Sequence, residues 1–339
     1  MVTSMGPEHD RAIELRAFDE TKSGVKGLVD AGIAQVPRIF VQPPDSVACG
    51  EDRADIPAMD LGHANAGPTS HDETARNIGL LEEVIEGSRG FFEQETEDKK
   101  GFYTGDLTKR VIHNSNMALY NSVAADWRDS ICCSVGPEPP RPEELPEACG
   151  EMLMEYSKHV MRPGSCMYEL LSKAIGLPQN HLKGMECGKG HSIICHYNPP
   201  CQPRLTLGVT KHSENDFLTI LLQGQIGGLQ VLHENRWIAV PPIPGALVIN
   251  MGDLLQLITN DKFKSVEHRV MANKRGPRVS VACFFDHIPQ PSSRLYGPIK
   301  ELTSTNNPPI YKETTLPNYT AHYISKGVHG TSALPDFKL

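Results

Sequence analysis

The chain has 339 residues, a formal net charge of −8 at pH 7 and a pI near 6.0, enough for one large or two small domains. Its 33 basic residues are scattered, whereas nucleic-acid-binding domains carry a basic surface, so we expect no nucleic-acid partner. No apolar run reaches transmembrane length, and the polar segment 1–10 does not resemble a signal peptide. Nine cysteines without regular spacing indicate reduced thiols, so we expect a cytoplasmic protein. We also expect a monomer that has no membrane partner.

Apolar residues at helical spacing mark the N-terminal half of the chain. A loose repeat predicts helix within residues 8–31, and a clearer amphipathic repeat predicts a helix over 73–94. Residues 149–175 predict a long helix that is kinked or broken at Pro163, because proline removes one backbone hydrogen bond. One further short helix is predicted at 316–326.

The region 195–285 follows a different pattern, with short apolar runs bounded by Gly, Pro or Asn. Each run has the length of a strand, so the region predicts a series of antiparallel strands. Such a series protects its edges by closing into a barrel or a double-sheet jelly roll. The runs are 217–222, 229–232, 246–250, 254–259 and 279–285.

Candidate chemistry lies within these strands. His212 and Glu214 are two residues apart, which places both side chains on one face of a strand, and His268 follows 56 residues later. Two imidazoles and one carboxylate, with other coordination positions open, are the ligand set of non-heme Fe(II) oxygenases. Arg278 and Ser280 also share a strand face and suit a buried carboxylate, which arginine binds in a bidentate manner.

A single H-x-E or a single histidine is weak evidence, so the prediction depends on the joint pattern. Zinc accepts the same three ligands, but a zinc site leaves Arg278 and Ser280 without a function. A cupin metal site is disfavoured, because no H-x-H pair precedes the acid. The spacing also leaves Asp216, on the same predicted face as Glu214, as a less favoured ligand.

Longer segments carry a family resemblance over most of the chain. They are E-L-R-A-F-D-E-T-K-S-G-V-K-G-L-V-D-A-G-I, D-W-R-D, F-L-T-I-L-L-Q, G-G-L-Q-V-L-H, G-D-L-L-Q-L-I-T-N-D-K-F-K-S-V-E-H-R-V and R-L-Y-G-P-I. In these the chain resembles the plant Fe(II)- and 2-oxoglutarate-dependent dioxygenases. Within that group it is most similar to the branch of 1-aminocyclopropane-1-carboxylate oxidase homologues and desacetoxyvindoline 4-hydroxylase.

The resemblance implies a mainly β fold with flanking helices (α+β). Its core is a double-stranded β-helix, or jelly roll, backed by a long helix and preceded by a helical N-terminal region. We accordingly divide the chain into four parts. They are an N-terminal helical and mixed region (1–135), a linker with the long helix (136–178), the jelly-roll core (190–290) and a C-terminal tail with a short helix (291–339).

The resemblance also implies the chemistry. A small plant specialised metabolite is oxidised by hydroxylation, desaturation, dealkylation or cyclisation, with succinate and CO2 as co-products. The cofactors are Fe(II), 2-oxoglutarate and O2, with ascorbate as reductant. The iron ligands are His212, Glu214 and His268. Arg278 and Ser280 bind the far carboxylate of 2-oxoglutarate, and Tyr197 and Asn198 belong to the segment that contacts it. The candidate substrate contacts are Asn116, Tyr120, Trp127, Leu218, Phe284 and Phe285.

Three features depart from the family pattern. The acid is Glu214 rather than Asp, which moves the carboxylate outward by one C–C bond, about 1.5 Å. Asn198 takes the place of a tyrosine unless Tyr197 slips into it. The third departure is a gap between the Ile56–Leu61 segment and the helix near residue 78. Compared with the family pattern, this chain lacks roughly 25–30 residues there, about one helix and one strand, and it has polar loops at 48–55 and 62–72.

Loss of a strand exposes an edge of the sheet, which favours aggregation. Because the departures affect the iron site, the co-substrate site and the sheet edge, a second hypothesis stays open. It is a catalytically impaired homologue that binds a ligand or a partner without efficient turnover.

Overall fold

A computed structural model describes residues 7–47, 56–60, 71–117, 119–201, 205–285, 293–326 and 332–339. Within these ranges the helices are α1 (Pro7–Glu20), α2 (Gly24–Asp30), α3 (His71–Glu93), α4 (Thr96–Lys100), α5 (Gly150–Ala174), α6 (His181–Gly184), α7 (Asp253–Ile258) and α8 (Leu316–Ser325). The strands are β1 (Val111–Asn114), β2 (Asp129–Gly136), β3 (His191–Asn198), β4 (Leu207–His212), β5 (Leu218–Gln223), β6 (Leu229–His233), β7 (Arg236–Ala239), β8 (Leu247–Met251), β9 (His268–Met271), β10 (Arg278–Phe285), β11 (Leu295–Tyr296) and β12 (Thr314–Thr315).

Two antiparallel sheets face each other and form the jelly-roll core that the sequence predicted. The larger sheet has six strands in the order β1-β2-β3-β10-β5-β8, and the smaller has four in the order β4-β9-β6-β7. A small apolar layer lies between the sheets, and it includes Ile194, Val209, Leu229 and Phe284. Among the helices that the structure describes, none is long and apolar enough to cross a bilayer.

Alternation along β10 separates the two faces of the larger sheet. Ala282 and Phe284 point into the layer between the sheets, whereas Val281, Cys283 and Phe285 join the main core on the other face. Helices α3 and α5 cover that other face and contribute buried side chains to the main core. A strand covered on both faces is apolar throughout, which explains the continuous apolar run that the sequence showed here.

The long helix α5 continues through Pro163 as one 25-residue element, so it is not broken there. The next residue, Gly164, brings the helix close to the sheet. A Cβ atom at Gly164 would lie 2.3 Å from Cζ of Phe285, so a larger residue would push α5 away from β10.

Two other elements differ from the sequence prediction. The N-terminal helix is divided into α1 and α2, because Lys22 adopts a left-handed conformation with φ 54°. The Asp129 carboxylate accepts hydrogen bonds from backbone N–H groups in the first turn of α2.

The apolar run 254–259, predicted as a strand, forms α7. Its first N–H groups donate to the carbonyls of Glu214 and Asp216, at 2.7 and 3.1 Å.

The N-terminal part of the chain also contributes to the jelly roll. Strand β2 pairs along β3, and β1 pairs with β2, so the large sheet includes residues from 111 onward rather than beginning near residue 190. At the opposite end of this sheet, β8 pairs with β5 and is the edge strand of the described sheet. The polar loop predicted at 48–55 lies outside the described residues, and so does the one at 62–72 up to residue 70.

Candidate active site

A cavity lies between the two sheets, and polar and charged residues gather on its wall. Its lining consists of Arg128, His196, Val209, His212, Glu214, Thr219, Leu221, Leu229, Asn250, His268, Val270, Arg278, Ser280, Ala282 and Phe284. Both the H-x-E pair and the R-x-S pair of the sequence therefore face one space. The apolar residues of the layer between the sheets close the rest of the wall.

The two histidines are brought together by strand pairing. His212 is the last residue of β4, His268 is the first residue of β9, and they are direct partners in the ladder, with ring centroids 4.3 Å apart. Glu214 lies beyond the end of β4, so a turn, rather than the pleat that the sequence suggested, directs its carboxylate to the histidines. Its Oε1 is 3.1 Å from Nε2 of His268, and its Oε2 is 4.0 Å from Nε2 of His212. The three ligand atoms lie within 4.8 Å of one another.

Backbone carbonyls fix the orientation of both rings. Nδ1 of His212 lies 2.8 Å from the carbonyl oxygen of Thr210, and Nδ1 of His268 lies 3.2 Å from that of Val266. A carbonyl can only accept, so each Nδ1 carries a proton, and in the neutral form of either ring Nε2 then presents its lone pair to the shared space. This is the tautomer that a metal ligand requires.

Burial and neighbouring charges set the ionisation of the histidines. Burial, reinforced by His268, lowers the pKa of His212 to about 4, so that this ring is neutral at pH 7. Burial also acts to lower the pKa of His268, but the adjacent Glu214 carboxylate outweighs it, and the pKa of His268 is raised. Two imidazole nitrogens and one carboxylate on one side of a common point, open towards a cavity, fit Fe(II).

Asp216, the less favoured ligand, is not part of this cluster. Its carboxylate is buried, accepts a hydrogen bond from the hydroxyl of Thr219 at 2.9 Å and lies against Gly252. Burial raises the pKa of Asp216 well above its usual range, with the nearby Glu214 adding to the effect. A carboxyl group held in this way is a structural group.

Arg278 is a buried cation that lines the cavity from the larger sheet, whereas the two histidines line it from the smaller sheet, and 1% of the Arg278 surface is exposed. Its terminal nitrogens donate to the Ser280 hydroxyl at 2.8 Å and to the Gln223 side-chain oxygen at 3.2 Å, and Nε has no hydrogen-bond partner within the described ranges. Among the residues that the structure describes, no carboxylate pairs with this guanidinium. Burial lowers the pKa of Arg278 to about 10, so it remains charged at pH 7. A buried charge without a counter-charge is costly, and the strongest partner of a guanidinium is a carboxylate.

The structure does not support the co-substrate contacts implied for Tyr197 and Asn198. Tyr197 pairs with Val279 and points to the helical side of the sheet, where it stacks on Phe92. Asn198 pairs with Arg278, but its amide nitrogen already donates to the carbonyls of Trp127 and Gly208, at 2.9 and 3.0 Å. Neither side chain therefore offers a donor to the cavity.

Of the six candidate substrate contacts, Phe284 lines the cavity and the other five do not. Leu218 and Phe285 face the main core, because they lie on the face of their strands that points away from the cavity. Trp127 packs between Phe40 and the Pro199 carbonyl, to which its indole nitrogen donates. The remaining two bind elsewhere, Asn116 to the backbone of Asp126 and Tyr120 to the Asp19 carboxylate.

Arg128 and His196 line the cavity although the sequence analysis did not assign them. His196 pairs with Ser280 across β3 and β10, and its Nδ1 lies 2.9 Å from the Ser130 hydroxyl. Arg128 immediately precedes β2 and forms an ion pair with Asp126. The signal available for Arg128 was the D-W-R-D segment that contributed to the family resemblance.

Comparison with known proteins agrees with this geometry. The family described as the 2OG-Fe(II) oxygenase superfamily matches residues 189–287. 1-Aminocyclopropane-1-carboxylate oxidase homolog 1 of Arabidopsis thaliana is 51% identical, over 97% of either chain. That alignment spans 354 positions, more than the 339 residues of this chain, so this chain lacks segments that the relative has.

Solved structures show the same fold. The crystal structure of JOX2 in complex with 2OG, Fe and JA is similar, with a TM-score of 0.77 and 25% identity, covering 92% of this chain and 94% of that one. A dioxygenase for auxin oxidation from rice matches with a TM-score of 0.66 and 22% identity, covering 84% of this chain and all of that one. The second likeness is one of fold alone.

Proposed function

Since the chain belongs to the 2-oxoglutarate- and Fe(II)-dependent oxygenase superfamily and is one of its dioxygenases, we propose that it oxidises a small plant specialised metabolite. The proposed outcome is hydroxylation, desaturation, dealkylation or oxidative cyclisation, with succinate and CO2 as co-products. In this proposal His212, Glu214 and His268 bind the metal. Arg278 and Ser280 bind the far carboxylate of 2-oxoglutarate.

The observation that carries the proposal is the buried guanidinium of Arg278, without a carboxylate partner in the described chain, which lines the same cavity as the His212–Glu214–His268 cluster. A zinc site built from the three ligands alone gives this charge no function. When bound, the ferrous ion and 2-oxoglutarate supply the activation of O2.

The residues of this chain have the tasks of binding and orientation. Thr210 and Val266 hold the rings of His212 and His268, so that both Nε2 atoms face one point. Ser280 and Gln223 hold the Arg278 guanidinium against the cavity wall, which fixes the direction in which a carboxylate is bound. Leu221 and Phe284 of the larger sheet and Leu229 and Val270 of the smaller sheet add apolar surface to the same cavity, which keeps bulk water away from the substrate.

Two variants test the proposal, one through metal binding and the other through 2-oxoglutarate binding. We expect His268→Ala to reduce metal affinity by at least about 100-fold, because one of three ligands is lost, with His233→Ala, an exposed histidine on β6, as the matched control. We expect Arg278→Gln to leave metal affinity within about threefold but to raise the KM for 2-oxoglutarate about 100-fold.

The assay is succinate release from 2-oxoglutarate with Fe(II) and ascorbate, measured beside metal binding by titration. Succinate release by wild type that does not exceed that of His268→Ala, with a broad panel of plant metabolites, contradicts the dioxygenase proposal and supports the impaired homologue. An unchanged KM for 2-oxoglutarate in Arg278→Gln contradicts the co-substrate assignment.

A further inference from the structure

Arg128 is a charged residue of the cavity for which metal and co-substrate binding provide no role. It immediately precedes β2, with 15% of its side chain exposed, and lines the same cavity as His212 and Arg278. Strand β3 separates β2 from β10 in the sheet. Because neighbouring strands are about 4.8 Å apart, the backbones that carry the two arginines are separated by roughly 10 Å.

The hydrogen bonds of Arg128 leave part of its guanidinium unused. A terminal nitrogen lies 3.3 Å from Oδ2 of Asp126, while Nε is buried and has no hydrogen-bond partner in the described part of the chain. The other carboxylate oxygen of Asp126 accepts from the backbone N–H and the hydroxyl of Thr210, at 2.7 and 2.5 Å. Asp126 is therefore engaged mainly with Thr210, and it contacts the guanidinium at one point only.

A guanidinium has five N–H donors in a planar fork, and its strongest partner is a carboxylate bound through two of them. The contact with Asp126 is not of this bidentate kind. An acceptor with two oxygen atoms can bind the N–H donors of this fork that face the cavity and that Asp126 does not engage.

We propose that Arg128 binds a carboxylate of the primary substrate in a bidentate contact and so orients a small organic acid towards the metal centre. This inference rests on the proposed function, because it assumes that Arg278 is occupied by 2-oxoglutarate. Arg128 then acts as the residue that selects for an acid, whereas Phe284 and Leu221 contact the apolar part of the same molecule.

The test uses pairs of probes that have the same shape and differ in charge. A panel of fluorinated aryl carboxylic acids and their primary amides is titrated by ¹⁹F NMR into the full chain loaded with Zn(II) and 2-oxoglutarate. We expect the acids to bind at least about tenfold more tightly than the matching amides. In Arg128→Gln we expect the acids to weaken by about 10- to 100-fold, while the amides remain unchanged.

Two further variants sharpen the result. Arg128→Lys keeps the charge but loses the fork, and we expect it to restore part of the preference for acids. Arg236→Gln, at an exposed arginine on β7, is the matched control and should leave every probe affinity unchanged.

The inference is overturned if acids and amides bind equally well to wild type, or if Arg128→Gln binds the acids as tightly as wild type does. Metal-dependent binding of 2-oxoglutarate is measured in each sample before a probe is added, and its absence in wild type marks a failure of the proposed function instead. If Arg128→Gln lacks a melting transition, the comparison between wild type and Arg128→Lys decides.

Discussion

The carbonyl oxygen of Thr210 lies 2.8 Å from Nδ1 of His212, so the position of Thr210 determines the orientation of a proposed metal ligand. Thr210 is itself held by Asp126, which is 84 residues away in the sequence and accepts hydrogen bonds from both its N–H and its hydroxyl. The segment before β2 therefore supports the proposed metal site without supplying a ligand to it. Groups of this kind tune metal affinity because they fix the tautomer and the direction of the ligand.

Replacement of Thr210 tests this support. Thr210→Val removes the hydroxyl donor but keeps the backbone N–H and the shape of the side chain. We expect the affinity for Co(II) or Fe(II) to fall by about tenfold, measured by competition with a fluorescent chelator. Thr108→Val, at an exposed threonine outside the cavity, is the control, and equal metal affinities in the two variants would contradict the role of Thr210.

Two conservative variants test whether Glu214 or the nearby Asp216 is the carboxylate that binds the metal. We expect Glu214→Asp to keep or raise metal affinity, because the acid stays a hard oxygen ligand and takes the length usual in the family. We expect Asp216→Asn to keep metal affinity within about threefold, because this buried carboxyl bonds to Thr219 instead. Metal titrations of both variants and of Glu214→Ala make the comparison. Loss of binding in both Glu214→Asp and Asp216→Asn would show that the ligand assignment is wrong.

The C-terminal helix α8 holds the turn between His212 and Glu214, the first two proposed metal ligands. The hydroxyl of Tyr323 donates to the carbonyl oxygen of Ser213 at 2.8 Å, and the hydroxyl of Ser213 donates to Asp253 at 3.0 Å. The same oxygen of Asp253 accepts from Tyr319 and Ser332, at 2.7 and 2.9 Å. Ser213 lies between His212 and Glu214, so the tail of the chain restricts the turn that directs the carboxylate.

We expect Tyr323→Phe to lower metal affinity several-fold and to lower the free energy of unfolding by about 1 kcal/mol, the usual net contribution of one hydrogen bond. The visible spectrum of the Co(II)-loaded protein reports whether the ligand geometry has changed. Tyr120→Phe also loses one hydroxyl hydrogen bond, but to Asp19 at the surface, and should leave the spectrum unchanged. A Tyr323→Phe protein that loses stability but keeps the wild-type spectrum and affinity would limit α8 to a structural role.

Tyr197 gives a prediction that opposes the family resemblance. Its ring stacks on Phe92 and its hydroxyl lies 3.3 Å from the Glu93 carboxylate, on the side of the sheet away from the cavity. We therefore expect Tyr197→Phe to leave the KM for 2-oxoglutarate within about twofold of wild type, in kinetics run beside Arg278→Gln. A rise in KM comparable to that of Arg278→Gln would mean that the segment 196–201 lies in a different register.

The sequence alone predicted the strand series, the long helix and the residues of the H-x-E, His and R-x-S pattern. This was possible because those signals are local: apolar periodicity reports which elements form, and a spacing of two reports a common strand face. A barrel or a jelly roll followed for the same reason, since a run of short antiparallel strands must protect its edges, and the family resemblance selected the jelly roll. The family resemblance added the cofactors.

Tertiary structure decided which face of each strand meets the cavity. A shift of one residue moves every side chain to the opposite face, which is why Phe284 lines the site while its neighbour Phe285 and the predicted contacts Tyr197 and Leu218 do not. It also decided that the buried run after Gly252 is a helix, because the carbonyls of a distant turn accept its first N–H groups. Arg128 entered the cavity through pairing of β2 with β3, which joins Asp129 to Tyr197, 68 residues further along the chain, and which no local pattern reports.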